Sequence, residues 1–518
     1  MFINKKIMIA GFLAFVLIAG INCGGSSTPT DEGTTGTVGN ASGILTAPDG
    51  SPLAGATVAL LDDSGAANLI KTATTNKFGH KIRLPRLTDD EGDECDDVSA
   101  SVTAGDIVAS DCTDAEGRYI LEGEIPCGEA VTLYAKLGSF ELNVTLTITC
   151  GDDDDNGEYD DADLTGIAFD DDCIDEEASD DTTEGGEGEG EGEGEGEGEG
   201  EGEGEPCLEK LTPDYDVDAA TCDFESANMA VVTGLWDRIE DVLAKLGFGS
   251  VDEYGMFDNT QPYGFTMIDG IDGSTDYPDA WDFFSDLDEM NAYDIIFINC
   301  YDRNDLASDS TVLANLQSYV ENGGKLYVTD RSYDMVEQAF PGFMDFYGGT
   351  GDEDAETAEL PLNDAFIGES YYDGFVSTDA TVNNATMAAW LDYVTVNEGT
   401  IGDAIETYGN DYCASYPVAS VNAQTGARNA DGTVTVGDFL GGWSVMEDVH
   451  DDADVAPYIW LTGDIETYAG SVSDAPLTVT QDVGDGRILY SSYHTADSCP
   501  SLGFWPQERI LSYLVFEL

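Results

Sequence analysis

The chain has 518 residues, 42% of them apolar, and carries 105 Asp and Glu against 18 Lys and Arg, a formal charge of -87. That length accommodates two or three domains, and the apolar share is enough for real cores, so the acidity is laid over folded material. A nucleic-acid duplex carries about one negative charge per 1.7 Å, so nucleic acid and anionic lipid surfaces are excluded as partners. Cations, either Ca2+ or the salts of a saline habitat, are the expected counterparts.

Lys5 and Lys6 precede an apolar run over residues 7–21, short for a membrane span of about 20 residues. Cys23 follows, then Gly24, Gly25 and Ser26. This resembles a bacterial lipoprotein signal, which implies export, lipidation at Cys23 and attachment to the membrane through the lipid, at the outer membrane or cell surface. The residues before the Cys are Gly20, Ile21 and Asn22, where that family usually shows Leu-Ala-Gly. Residues 1–23 are thus read as signal and lipidation site, and 24–40 as a polar tether.

Ten cysteines remain, at 95, 112, 127, 150, 173, 207, 222, 300, 413 and 499. An even number in an exported chain favours disulfides. Spacing does not give the pairing; local candidates are Cys95 with Cys112, Cys127 with Cys150 and Cys207 with Cys222, and Cys413 with Cys499 as a longer closure. Zinc is not expected, because no C-x-x-C exists and His80, His450 and His494 lie far apart in sequence.

Residues 41–150 read as an all-β sandwich of Greek-key type. Residues 42–46 suggest a strand, Pro48-Asp-Gly-Ser-Pro52 a turn, and the apolar stretch to Leu60 a second strand. Thr113-Asp-Ala-Glu-Gly-Arg-Tyr119 repeats turn then strand. Val131, Leu133 and Tyr134 mark another strand, and Phe140, Leu142, Val144, Leu146 and Ile148 alternate with the period of a half-buried strand. Gly50-Ser-Pro-Leu-Ala-Gly-Ala-Thr-Val58 and the Thr113–Tyr119 motif resemble the carboxypeptidase regulatory-like family of small prealbumin-like sandwiches. An acidic insert over roughly 88–111 departs from it. The resemblance implies a spacer; related folds include starch-binding sandwiches, which also implies a carbohydrate ligand.

Residues 151–206 form an acidic linker containing an alternating Glu-Gly run at 187–205. Such a run has no apolar side chain to bury, and Gly at every second place maximises chain entropy, so it is expected to be a disordered tether. The modules on either side are therefore expected to move independently. Before it, Asp152, Asp154, Asn156, Gly157, Glu158, Asp160 and Asp163 fall at positions 1, 3, 5, 6, 7, 9 and 12 of a calcium-loop pattern, with Asp where the usual bidentate Glu would stand. In so Asp-rich a segment the alternative is a solvated charge run. A weaker partial match spans 429–438.

Residues 207–518 alternate strand and helix. Strands are expected at 229–233, 265–268, 293–299, 325–329, 458–461, 477–480 and 487–491, and helices at 236–246, 312–320 and 507–515, giving an α/β doubly wound, flavodoxin-like sheet. Residues 345–450 read as an insertion. Tyr293-Asp-Ile-Ile-Phe-Ile-Asn-Cys300, Leu316-Gln-Ser-Tyr-Val-Glu-Asn-Gly-Gly-Lys-Leu-Tyr-Val328 and Gly484-Asp-Gly-Arg-Ile-Leu-Tyr-Ser-Ser-Tyr-His494 resemble the class I glutamine amidotransferase-like fold. Its enzymes carry a Cys in a glycine-flanked turn after a central strand. Here Thr329 is followed by Asp330-Arg-Ser-Tyr333, with neither Cys nor Gly, and Cys300 ends an earlier strand. The expectation is a non-catalytic surface protein that binds a small molecule, glycan or protein. The candidate alternative is a hydrolase using Ser332, His494 and Asp497 or Asp330.

Overall fold

The computed structural model describes residues 36–61, 107–128, 130–148, 162–164, 167–168, 217–271, 277–346, 362, 377–397, 427–428, 434–440, 444–450, 456–467, 470–493, 495, 503–504 and 506–518. The N-terminal strands are β1 (Gly36–Thr46), β2 (Thr57–Leu61), β3 (Ile107–Cys112), β4 (Arg118–Cys127), β5 (Ala130–Leu137), β6 (Phe140–Ile148), β7 (Ala162–Asp163), β8 (Ile167–Ala168) and β9 (Val217–Glu225). They form two small, mainly antiparallel sheets, one ordered β4-β1-β7 with β8 also on β1, the other β3-β2-β5-β6-β9. The alternation along β6 is realised: Phe140, Leu142, Val144, Leu146 and Ile148 are all buried, with half-buried residues between them.

The Thr113–Tyr119 motif is a turn held by its own side chains. The Asp114 carboxylate accepts from Glu116 N and Arg118 N at 2.9 and 3.0 Å. Gly117 takes a left-handed φ of 72°, where a Cβ would lie 2.6 Å from Leu45 O. Thr113 Oγ1 accepts from Ala56 N and donates to Leu53 O, tying this turn to the Gly50–Val58 segment. The two stretches that carry the family resemblance therefore bond to each other.

The C-terminal half is mixed α/β around a mainly parallel centre. Its strands are β10 (Met229–Val232), β11 (Phe265–Ile268), β12 (Ile295–Ile298), β13 (Lys325–Thr329), β14 (Met344–Phe346), β15 (Ser377–Val382), β16 (Ala427–Arg428), β17 (Val434–Leu440), β18 (Met446–Val449), β19 (Tyr458–Thr467), β20 (Gly470–Val483) and β21 (Gly486–Ser491). The large sheet runs β11-β10-β12-β13-β21-β20-β19-β15-β17-β16. The first five strands are parallel and the remainder antiparallel, so of the late strands β21 continues the expected parallel pattern, whereas β19 and β20 do not. Ile295–Ile298 is buried at every position, as a continuous apolar run in a two-sided sheet requires.

Alternate residues of the parallel strands face two cores. Ala230, Ile296, Ile298, Leu326 and Val328 pack beneath the helices Ala280–Ser285, Ser310–Glu321 and Tyr333–Ala339. Helix Ser310–Glu321 starts where Asp309 accepts from Thr311 N and Val312 N, satisfying donors that have no intrahelical partner. On the other face, Met229, Val231, Phe265, Ile295 and Phe297 join the helix Pro506–Glu517 and the buried residues of the N-terminal sheets in one cluster.

That shared cluster overturns the expectation of independently moving modules. Phe140 packs against Phe248 and Phe516 at ring distances of 5.6 and 5.0 Å. Lys325 Nζ donates to Ser139 Oγ at 2.9 Å, and Trp390 Nε1 to Pro52 O at 2.8 Å. Strand β9, beyond the Glu-Gly run, pairs with β6 along its length. A tether limits reach but does not prevent docking, and burying one Phe stabilises by about 1.5–3 kcal/mol.

The helix expected at 236–246 starts only at Ile239 and passes into a wider turn over Ala244–Phe248, with Gly247 at φ 93°. Trp236 lies outside it and packs on Tyr301 at 5.7 Å. The apolar spacing misplaced the helix start because Trp236, half-buried in the loop, falls in step with Ile239, which enters the core from the helix.

Candidate functional site

Parallel strands deliver all their C-terminal ends to one edge, and each apolar strand here gives way to polar residues at that edge. Thr233 and Gly234 follow β10, Asp269 follows β11, Asn299 and Cys300 follow β12, and Asp330 follows β13. A Cβ on Gly234 would stand 2.5 Å from Cys300 O, so only glycine lets these two loops approach. The buried Asp237 carboxylate gathers the edge together. One oxygen accepts from Arg238 N, Thr495 N and Thr495 Oγ1 at 2.9, 2.9 and 2.6 Å. The other accepts from Thr329 Oγ1 and from Cys300 N. So many donors on one carboxylate make it a structural tie.

The turn after β13 has the strained backbone expected of a nucleophile corner, but the residue at the corner is an aspartate. Asp330 has φ 40°, one of two non-glycine residues at positive φ among those described. Its side chain is fully buried. Oδ1 accepts from Ser444 N at 2.7 Å and Oδ2 from the Cys300 thiol at 3.4 Å. Tyr490 OH donates to Ser444 O at 2.7 Å and to Asp330 O at 3.1 Å, so the segment around Ser444 is fastened over the corner. Burial, together with the Asp330 and Asp237 carboxylates, pushes the Cys300 thiol well above the usual range.

Ser332, the candidate nucleophile, is fully buried two residues further on. Its hydroxyl donates to Asn299 O at 2.8 Å and accepts from Tyr301 N at 3.2 Å. It therefore pins the loop after β12. His494 and Asp497 lie outside the described residues. The residues after Thr329 are marked in the sequence as the place of the turn, but only the backbone angle sets Asp330 apart from its neighbours as the corner.

A crevice of about 490 Å3 opens at the ends of β10 and β11. Thr233, Gly234, Met267 and Ile271 line it together with Arg238, Glu240, Asn259, Asp269, Phe257 and Tyr277. The sheet order places it beside the point where the chain, having gone from β10 to β11 on one side, returns to β12 on the other, which is where open α/β sheets hold ligands. Below it, the buried Arg303 donates to Gly270 O, to Thr233 O at 2.8 Å and to Asn299 O at 3.1 Å, strapping three strand-end loops. Burial lowers its guanidinium to about 10. Glu240 accepts from Asn299 Nδ2 at 2.8 Å, and burial, partly opposed by Arg238, raises its carboxyl to about 7. Residues 236–246, read as helix, concealed that Asp237 and Glu240 serve the sheet edge.

Of the calcium candidates, Asp152, Asp154, Asn156, Glu158 and Asp160 lie outside the described residues, and Asp163 is a residue of β7, paired with Ser42. Of the weaker stretch, 434–438 run in β17. Among the described residues no cluster of three His, Cys, Asp or Glu is arranged to hold a metal. Cys112 and Cys127 are disulfide-bonded, and Cys300 is a free buried thiol. No disulfide joins two described cysteines. Cys222 lies on β9 opposite Val144. Cys23, Cys95, Cys150, Cys173, Cys207, Cys413 and Cys499 fall outside the described residues.

Neither a protein-family model nor a curated protein matches the chain. Among solved structures, similar chains include a cytoplasmic protein from Salmonella typhimurium, 13% identical over 59% of this chain and 90% of that one, with a TM-score of 0.26. A ThuA-like protein from Bacteroides uniformis is 9% identical over 57% of this chain and 94% of its own, TM-score 0.27. The cold-adapted β-galactosidase from Rahnella is 11% identical over 56% of this chain and 30% of its own, TM-score 0.24. Likeness at this level carries no argument about activity, and the geometry above stands without it.

Proposed function

We propose that this is an exported, lipid-anchored and non-catalytic surface protein, held to the membrane through Cys23, whose α/β half binds a small molecule in the crevice at the strand C-termini. The observation that carries the reading is the corner at Asp330. A class I glutamine amidotransferase-like, flavodoxin-like fold would place its reactive thiol there; this chain places a buried carboxylate, capped by Ser444 N. The crevice at the ends of β10 and β11, on the same edge of the sheet, offers the concave, mixed apolar and polar wall of a ligand site. The N-terminal sheets, as a carboxypeptidase regulatory-like sandwich, serve as the platform that docks against it, and Ca2+ binding by residues 152–163 belongs to the same proposal.

The rival reading, a hydrolase using Ser332 with His494 and Asp497, would need the buried Ser332 hydroxyl to leave two backbone partners. The test is a hydrolase substrate panel on the full chain and on Ser332→Ala and His494→Ala. Turnover that both substitutions abolish would replace the binding reading. No turnover, with small-molecule thermal-shift hits lost on substitution of the exposed crevice residue Asn259 by Trp, is the expected result. Carbohydrate binding through the N-terminal sheets would instead give glycan-array hits that Asn259→Trp leaves unchanged.

A further inference from the structure

We infer that the crevice at the ends of β10 and β11 takes a small organic cation, a primary or quaternary ammonium compound, between the Glu240 and Asp269 carboxylates and the Phe257 and Tyr277 rings. This rests on the crevice being a ligand site and adds the chemistry of its occupant.

The wall is built against anions. Its one guanidinium, Arg238, grips Asp241 with Nε and Nη2 at 2.8 and 2.9 Å and stands 3.7 Å from Glu240 Oε1 through Nη1. Backbone N–H groups that would cradle a phosphate are already donated: Gly270 N to Thr233 Oγ1 at 2.9 Å, and Ile271 N to Asp269 Oδ1 at 3.1 Å. Gly234 and Gly270 serve close packing, since a Cβ on either would strike Cys300 O at 2.5 Å or Thr233 O at 2.2 Å. The one guanidinium thus stands against three carboxylates, Glu240 and Asp269 in the lining and Asp241 beside it, which leaves the crevice negative.

The same wall presents aromatic rings held in place. Phe257 packs against Tyr263 and Phe265 at 4.9 and 5.0 Å. Tyr277 OH accepts from Asn259 Nδ2 at 2.9 Å, which fixes its ring beside the opening. Ring faces attract cations, most strongly where water is excluded. The charge of -87 further concentrates cations at the surface. Glu240, at about 7, faces Arg238 and Asp241 on its own segment, Asn299 from the loop after β12, and shares the crevice with Asp269 and Tyr277. It is therefore half-protonated near neutrality, and a cation is held more tightly once its proton leaves.

The test is calorimetry on the full chain with choline and with its uncharged carbon isostere, 3,3-dimethylbutan-1-ol, in moderate salt at pH 8 and pH 6. Choline is expected to bind at least tenfold more tightly than the alcohol, and to weaken severalfold at pH 6. Asp269→Asn should lower its affinity about tenfold. Asn259→Trp, at an exposed position, should abolish binding without disturbing the core. If the alcohol binds as well as choline, the cation inference falls and the crevice remains a ligand site. If neither binds, both fall for ligands of this size. Choline binding undiminished in Asn259→Trp would mark diffuse attraction to the acidic surface and overturn the inference.

Discussion

The Cys300 thiol donates to a carboxylate oxygen of Asp330 at 3.4 Å, linking the end of β12 to the strained turn after β13. A thiol and an aspartate at adjacent strand ends of an α/β sheet invite a catalytic reading. Their burial inverts it: the carboxylate opposes thiolate formation, and the thiol occupies the carboxylate.

Cys300 should accordingly be inert in the native state. Iodoacetamide at pH 8 followed by peptide mapping is expected to leave Cys300 unmodified for hours, and to label it promptly in denaturant without reductant. Rapid native labelling would mean that the thiol is accessible and ionised.

The corner should tolerate amide but not methyl. Asp330→Ala removes the acceptor of Ser444 N and puts a residue intolerant of φ 40° at the turn, an expected loss of about 2–4 kcal/mol in urea unfolding. Asp330→Asn retains the acceptor and tolerates the left-handed region, so it should cost less than half as much. Equal losses would remove the argument that the turn is strained.

Glu240 makes stability fall with rising pH over a defined window. The unfolded carboxyl loses its proton near its model value of 4.5, whereas the folded one holds it to about 7. Between those values the native state binds more protons, so its stability declines as pH rises and the full penalty is present above about 7. Glu240→Gln keeps the acceptor for Asn299 Nδ2 and abolishes the charge. The variant should gain on the wild type progressively from pH 4.5 to 7, by roughly 2–3 kcal/mol at about 1.4 kcal/mol per pH unit. A wild-type-minus-variant difference that is flat across this range would refute the assignment.

Phe140 and Phe516 should couple energetically across the two halves of the chain. Each truncation to Ala is expected to cost about 3–5 kcal/mol, and a double-mutant cycle should return about 0.5–1.5 kcal/mol of coupling for rings 5.0 Å apart. Zero coupling would restore the picture of two modules on a tether.

Much of this architecture is local information. The alternation from Phe140 to Ile148, the unbroken Ile295–Ile298 run and the Asp309-capped helix are each decided by neighbours along the chain, because strand and helix periods are properties of a few consecutive residues. Composition likewise set the acidity and the class of counter-ion. The docking of the N-terminal sheets was not legible, since Phe140 and Phe516 meet only after both halves have formed their surfaces. Nor was the corner: Asp330 reads as one more acidic residue until the backbone angle and the Ser444 and Cys300 contacts, from segments distant in sequence, give it a place. Glu240 acquires its altered proton affinity in the same way, through desolvation that no spacing along the chain expresses.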